Sequence, residues 1–224
     1  MEELPDMRYR CVILDHDDTI VNSTKTVHYP CYAEFVRKFY PEKPVVSFED
    51  YIRYNFHPGV VEFFRNIVGL SEEESLRESA YWNAYVKKHV PEAYPGIREL
   101  LYDFRAAGGI ITVISHSYKE NLLRDYRENG LPEPLLAFGW EVPRDKRKPH
   151  PDTVFEILSA FDLKPAECLM LDDMKPGLDM AHSAGIDFAA AGWGNPVPEV
   201  REYMTEHADW YFGTVGEFRE FLLG

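Results

Sequence analysis

The stretch Cys11-Val12-Ile13-Leu14-Asp15-His16-Asp17-Asp18-Thr19 couples four apolar residues to a cluster of acids. An apolar run of that length, closed by turn-forming residues, reads as a buried strand. Asp15 and Asp17 stand two residues apart, so they can project together into the crevice at the carboxyl end of a sheet. Open α/β folds place their ligands there. In such a crevice one carboxylate can attack while the other handles protons. A solvated acidic loop would carry the same spacing, so the choice between the two rests on the rest of the chain.

Three later segments bear on it. Gly109-Ile110-Ile111-Thr112-Val113-Ile114-Ser115 is a second buried-strand pattern, and it ends in a hydroxyl. Lys148-Pro149-His150-Pro151-Asp152 puts a lysine just before a helix start. Cys168-Leu169-Met170-Leu171-Asp172-Asp173 is another apolar strand ending in paired acids. Between the first two strands, roughly Thr24 to Val90, no strand pattern occurs. Helices are predicted there over 27–40, 48–53, 59–68 and 72–90. Ser71 with Glu74 forms a capping box for the last of these, and Gly69 suits the end of the one before. Pro91 and Pro95 bracket the return to the sheet. Beyond them, Ile97, Leu100, Leu101 and Phe104 keep helical spacing, with Gly108 as the stop. Ser117 with Glu120 is expected to cap the next helix. A third strand is predicted around 137–140, and the helix from Pro151 should turn Val154, Phe155, Leu158 and Phe161 inward. Short strands fit 188–191 and 210–212, and Thr214 with Glu217 caps a terminal helix. Strands alternating with helices imply a parallel sheet covered on both faces.

The four segments, in this order and spacing, resemble the four motifs of the haloacid dehalogenase superfamily, from about Arg10 to the C-terminus. The acidic pair in Asp172-Asp173-Met174-Lys175-Pro176-Gly177 is similar to the fourth motif of its phosphoglycolate phosphatase-like and β-phosphoglucomutase-like members. The resemblance implies an α/β fold, a Rossmann-like parallel sheet with an inserted α-helical cap. Residues 1–23 and 92–224 would form the core domain and 24–91 the cap. It implies that Asp15 is the nucleophile, forming an aspartyl-phosphate, and that Asp17 is the general acid and base. Thr19 would hold the loop, Ser115 would donate to a phosphate oxygen, and His116 would follow at a helix N-terminus. Lys148 would pair with Asp15 and the phosphate, offsetting like-charge repulsion. Hard oxygen ligands at two strand ends suit Mg²⁺. Asp15, the backbone carbonyl of Asp17, and Asp173 are the implied direct ligands, with Asp172 a further ligand or an acceptor behind them. Asp179 is a competing candidate that falls farther along the helix. In the cap, Lys25, His28, Arg53 and Asn55 are polar residues that could reach a substrate, Arg53 foremost. The aromatics Tyr29, Tyr32, Phe35, Tyr81, Trp82 and Tyr85 read as cap core. One departure stands out: Asp18 occupies a position that is glycine in the family, and a third carboxylate so near a phosphate would repel it unless turned away or hydrogen-bonded.

Composition bounds the alternatives. With 224 residues and 45% hydrophobic content, the chain can bury one good core and a smaller subdomain. A formal charge of −14 argues against nucleic acid as a partner and requires local cations for an anionic substrate. No run approaches a membrane span, and Met1-Glu2-Glu3-Leu4-Pro5-Asp6 lacks the features of a signal peptide, so a cytoplasmic location is expected. Cys11, Cys31 and Cys168 are odd in number and widely spaced, which fits a reducing compartment. The predicted function is hydrolysis of a small phosphomonoester by a Mg²⁺-dependent phosphatase. A sugar phosphomutase on the same scaffold is the runner-up, and a phospho-aspartate switch without turnover is the alternative outside catalysis. Phosphonate cleavage fits less well, because the cap has no lysine between Lys43 and Lys87 to form an imine.

Overall fold

The computed structural model describes residues 7–224; the Met1–Asp6 stretch read for a signal peptide lies outside them. Six strands form one parallel sheet: β1 (Cys11–Leu14), β2 (Ile110–Ile114), β3 (Leu136–Phe138), β4 (Cys168–Asp172), β5 (Asp187–Ala191) and β6 (Trp210–Phe212). Their spatial order is β3-β2-β1-β4-β5-β6. The chain therefore builds outward on one side of β1, then returns to build on the other. The switch point lies between β1 and β4, where the crevice outside the strand ends opens.

The period-two alternation of extended backbone sorts the core. Val12, Leu14, Ile111, Val113, Leu169 and Leu171 face one side of the sheet. They pack there against α5 (Ile97–Ala106), α6 (Lys119–Glu128) and α10 (Val215–Leu223) through Leu101, Phe104, Leu122, Tyr126 and Phe218. Cys11, Ile13, Cys168 and Met170 face the other side and meet α7 (Asp152–Ala160), α8 (Lys175–Ala184) and α9 (Pro198–His207). Both faces are dry, as the continuous apolar strands require. All three cysteines are buried and free. Among the described residues no helix is long and apolar enough to cross a membrane.

Between β1 and α5 the chain forms α1 (Tyr29–Phe39), α2 (Phe48–Phe56), the single turn α3 (Val60–Glu62) and α4 (Glu72–Val86). These helices bury a separate cluster containing Tyr32, Phe35, Tyr51 and Phe63. Its rings meet edge to face or stacked at 5.2–5.4 Å between centroids, a preferred aromatic geometry. Wide π-helical turns, Thr24–His28 and Phe63–Ile67, precede α1 and follow α3.

Several local expectations change. Helix α4 stops at Val86 rather than Val90, because the chain turns through Lys88 and His89. The guanidinium of Arg124 then takes the carbonyls of Val86 and His89, satisfying groups that a helix end leaves open. The capping boxes at Ser71–Glu74 and Thr214–Glu217 form as predicted. Ser117 does not cap α6, whose N-cap is Tyr118. Phe155 is half exposed at 49% while Ile157 takes the inward place on α7, since the buried face runs through Val154 and Ile157.

Candidate active site

Strand register creates the site. Leu14 lies opposite both Val113 and Leu171, so Asp15 and Asp172, each one residue further on, emerge side by side, and Ser115 follows two residues beyond Val113 at the end of β2. The Asp15 N–H donates to the Leu171 carbonyl at 2.8 Å, fixing the exit from β1. Asp172 accepts from the Met174 N–H at 2.8 Å through Oδ1. A Cβ on Gly177 would stand 2.1 Å from Asp172 Oδ2, so only glycine lets α8 start this close to the carboxylate. Lys148, buried to 7% exposure, reaches in from the loop before α7. Its Nζ donates to Asp15 Oδ1 at 2.6 Å and to Asp172 Oδ2 at 2.5 Å.

Charge here is unbalanced. Asp15, Asp172 and Asp173 are all buried, and each offers a carboxylate oxygen within 4.8 Å of the others. One lysine faces these three acids. Burial pushes the Asp15 carboxyl up to about 7, with Lys148 opposing and Asp172 and Asp17 adding to the rise. Asp173, paired with no cation among the described residues, is driven well above the ordinary range by burial and by Asp18, Asp172 and Asp15. Burial would lower Lys148, but its two carboxylate partners outweigh that and hold it protonated. A set of hard oxygen donors with surplus negative charge fits a divalent cation such as Mg²⁺. Asp179, on α8, is outside this cluster.

Asp17 is held from another direction. Ser117 Oγ donates to its Oδ2 at 2.6 Å, and His28 Nε2 lies 3.0 Å from its Oδ1. His28 belongs to the π-helical turn that enters the cap. Trp82, on α4, donates its indole N–H to His28 Nδ1 at 3.1 Å. That leaves Nε2 as the protonated nitrogen, aimed at Asp17. Burial alone would raise the Asp17 carboxyl, but His28, His16 and Ser117 together hold it well below the usual carboxylate range. Burial lowers and Asp17 raises the His28 imidazole, with a net rise; the Trp82 donor opposes a second ring proton, so we assign the neutral Nε2–H form.

The Asp18 departure has a local explanation. Its φ is +55°, the left-handed region where glycine is free and where aspartate and asparagine are the best-tolerated side chains. Its Oδ1 accepts the Thr24 N–H at 3.0 Å, tying the loop to the first turn of the cap. The close packing continues at Gly194, where a Cβ would lie 2.4 Å from the Asp18 carbonyl oxygen. Thr19 does not hold the loop by its hydroxyl: Oγ1 is buried without a partner. Its carbonyl instead accepts the Trp193 indole N–H at 3.0 Å.

The remaining candidates divide. Ser115 is buried, and its Oγ accepts the Ser117 N–H at 3.0 Å, which leaves the hydroxyl proton available. His116 is exposed beside the site, with Nε2 3.3 Å from the Lys148 carbonyl and its ring edge-on to Trp140. Arg53 is not brought to the cluster; it pairs with Asp50 and Glu199 on an exposed surface. Asn55 donates to the Tyr51 carbonyl. Trp82, read as cap core, turns to His28 instead, and Tyr85 stacks on His89.

A buried group beside the nucleophile was not read from the sequence. His16 Nε2 lies 3.1 Å from Asp125 Oδ2, its ring stacks on Tyr126, and Asp125 is gripped by Arg124. The strand alternation contained a signal, because His16 falls between two outward acids and must point to the opposite side. Nothing local in Arg124-Asp125-Tyr126 marks an aspartate on α6 as the partner.

Comparison with known proteins bears on the family and the fold. The profile of the haloacid dehalogenase-like hydrolases matches residues 12–191. The chain belongs to that family. A phosphoglycolate phosphatase of Mesorhizobium japonicum is 28% identical over 110 residues, covering 49% of this chain and 48% of that protein. The chain thus spans about half the length of this curated relative. A β-phosphoglucomutase of Bacillus subtilis is 27% identical over 153 residues, 58% of this chain and 67% of that one. Among solved structures of haloacid dehalogenase-like proteins, a predicted phosphoglycolate phosphatase from Haemophilus somnus superimposes with a TM-score of 0.78. It is 18% identical, over 96% of this chain and 99% of that chain. That likeness shows the fold.

Proposed function

We propose that this family member is a Mg²⁺-dependent phosphatase that hydrolyses a small phosphomonoester through an aspartyl-phosphate on Asp15. The observation that carries the reading is the buried Lys148 bridge between Asp15 and Asp172, with Asp173 uncompensated beside it. Asp15, Asp173 and the main-chain carbonyl of Asp17 would hold the metal, with Asp172 fixing Lys148. The ion would supply Lewis-acid stabilisation of phosphate charge.

The chain's own residues supply the rest. Lys148 opposes the rise that burial imposes on the Asp15 carboxyl, favouring its ionised form, and adds a positive charge where a phosphate oxygen would sit. Asp15 attacks phosphorus, and the bond to the leaving alkoxide breaks as Asp17 gives it a proton. Water then attacks the aspartyl-phosphate while Asp17 takes the water's proton, releasing phosphate and restoring Asp15. The hydrogen bonds from Ser117 and His28 favour ionised Asp17, the form needed for the second step. A phosphate dianion beside Asp17 raises its proton affinity by like-charge repulsion, favouring the form needed for the first. Ser115 offers its free hydroxyl proton to the phosphate.

Inorganic phosphate released from a panel of phosphomonoesters is the test. Turnover should require Mg²⁺, vanish with a chelator, and fall by roughly two orders of magnitude or more in Asp173→Asn with the fold retained. Transfer of phosphate within the substrate, without release, would replace this reading with the mutase.

A further inference from the structure

Helix α6 touches both the linker that leads out of the cap and the loop that carries Asp15 and Asp17, and a chain of polar side chains joins the two. The outer end of the chain is the linker between α4 and α5. Glu120 pairs with Lys87 at 3.0 Å. Arg124 donates to the carbonyls of Val86 and His89 at 2.8 and 3.4 Å, and Asn129 donates to that of Pro91 at 3.0 Å. Arg124 then turns inward, where its Nε and Nη2 grip Asp125 Oδ1 at 2.9 and 2.6 Å. The other carboxylate oxygen, Oδ2, accepts from His16 Nε2 at 3.1 Å.

His16 stands between the nucleophile and the acid–base carboxylate in the chain. Its ring is 1% exposed and stacks on Tyr126. Nδ1 is buried with no partner, so the Asp125 bond is the one side-chain hydrogen bond that fixes the ring among the described residues. The His16 carbonyl accepts the N–H groups of Ile20 and Val21 at 3.0 and 3.2 Å, closing the loop that carries Asp17. A shift of His16 therefore carries both neighbouring carboxylates with it.

The chemistry of the chain argues for position more than for stability. A buried ion pair gains little over well-packed apolar side chains of the same volume, and an apolar residue at position 16 would fill the same space. What the hydrogen-bonded chain adds is direction, because each link accepts one geometry only. Displacing a reacting group by about 1 Å can cost about a hundredfold in rate, so the groups that prevent it are part of the site.

We propose that Arg124, Asp125 and His16 are positioning residues: their chain holds the loop carrying Asp15 and Asp17 in register with the linker leaving the cap. None of the three touches the reacting atoms; each acts through the loop. The inference rests on the phosphatase reading above and adds the support of its catalytic loop.

The test measures kcat and KM of the full chain with Mg²⁺ and p-nitrophenyl phosphate, well below the unfolding midpoint of each variant. His16→Phe keeps the ring and removes the donor; His16→Gln replaces the ring but keeps an N–H donor. Arg124→Gln cuts the chain away from the loop. His16→Phe should lower kcat by roughly ten- to a hundredfold, with KM within about threefold, and His16→Gln should recover most of the loss. Arg124→Gln should lower kcat by about tenfold alone and add almost nothing to His16→Phe, since both break one chain. Should His16→Phe fail to fold, Asp125→Asn takes its place beside Arg124→Gln, with the same non-additivity expected. Unchanged kcat in the single variants, losses that multiply in the double variant, or no recovery in His16→Gln would overturn the inference and leave the phosphatase reading standing. A wild type without turnover of p-nitrophenyl phosphate would defeat that reading, and the inference with it.

Discussion

Replacing Asp18 by asparagine separates charge from geometry at the one position that departs from the family pattern. Asparagine tolerates the left-handed φ of +55° nearly as well as aspartate, and its carbonyl can still accept the Thr24 N–H. Only the negative charge is lost. Burial lifts the Asp18 carboxyl from 3.8 to about 6, with the Thr24 hydrogen bonds opposing and Asp17 adding to the rise. A carboxyl raised on folding binds more protons in the folded state. Its stabilising effect is therefore complete below pH 3.8 and is lost as pH climbs towards 6. Above pH 7 the ionised side chain costs the metal-free fold roughly 3 kcal/mol, and at pH 5 roughly half of that. Asp18→Asn should accordingly raise the metal-free unfolding free energy by ~2–3 kcal/mol at pH 7.5. The gain should shrink towards acid, and also with Mg²⁺ bound, since neighbouring charge is then neutralised. Urea titrations of both proteins at pH 5 and 7.5, with and without metal, measure this. A destabilised variant, or a gain that is the same at every pH, would refute the reasoning. Asp18→Gly should differ, gaining backbone freedom at the strained φ but losing the Thr24 acceptor, and keep activity within about tenfold.

Other consequences are equally direct. Burial pushes the half-buried Glu78 carboxyl of the cap up to about 7 from 4.5, so its contribution to stability falls as pH rises through that window. Glu78→Gln should therefore stabilise by about 1–3 kcal/mol at pH 8, after allowance for partial exposure, and little at pH 4.5, read from unfolding midpoints. Lys148→Ala should cut turnover by about a thousandfold, because the cation bridging Asp15 and Asp172 is gone. Lys146→Ala and Arg147→Ala should change it only mildly: Lys146 is exposed, and Arg147 lies over Trp140 at 3.6 Å. A dead Lys146→Ala enzyme alongside an active Lys148→Ala enzyme would reverse the assignment.

Legibility in the sequence tracks the physics of each element. Buried parallel strands show as unbroken apolar runs, and all six appear within a residue or two of their predicted places. Capping boxes are local chemistry, and two of the three predicted form. The third fails because α6 starts one residue later than the box requires, with Tyr118 at the N-cap, while Ser117 instead turns its hydroxyl proton to Asp17, a contact across 100 residues of chain that no local rule reveals. Likewise, the hydroxyl expected of Thr19 is idle because Trp193 meets its carbonyl instead. The acids at the strand ends and the lysine of the loop before α7 were readable because parallel topology carries these segments to one crevice. The cap's contribution was not. His28, Arg53 and Asn55 look alike in sequence, and only helix packing aims the first at Asp17 and leaves the second on Glu199.

The division of labour between Asp15 and Asp17 is the centre of the account, and one experiment addresses it most directly. Asp17→Asn keeps the nucleophile and removes the proton-transfer group. With p-nitrophenyl phosphate, whose leaving group needs little protonation, phosphoryl transfer to Asp15 should proceed and hydrolysis should stall. Rapid mixing should then show a burst of about one phenolate per site, and mass spectrometry of the quenched protein should find one phosphoryl group on Asp15. An alkyl phosphate should give almost no burst. Steady, equal turnover of both substrates by the variant, or a phosphoryl group on any other residue, would contradict the account.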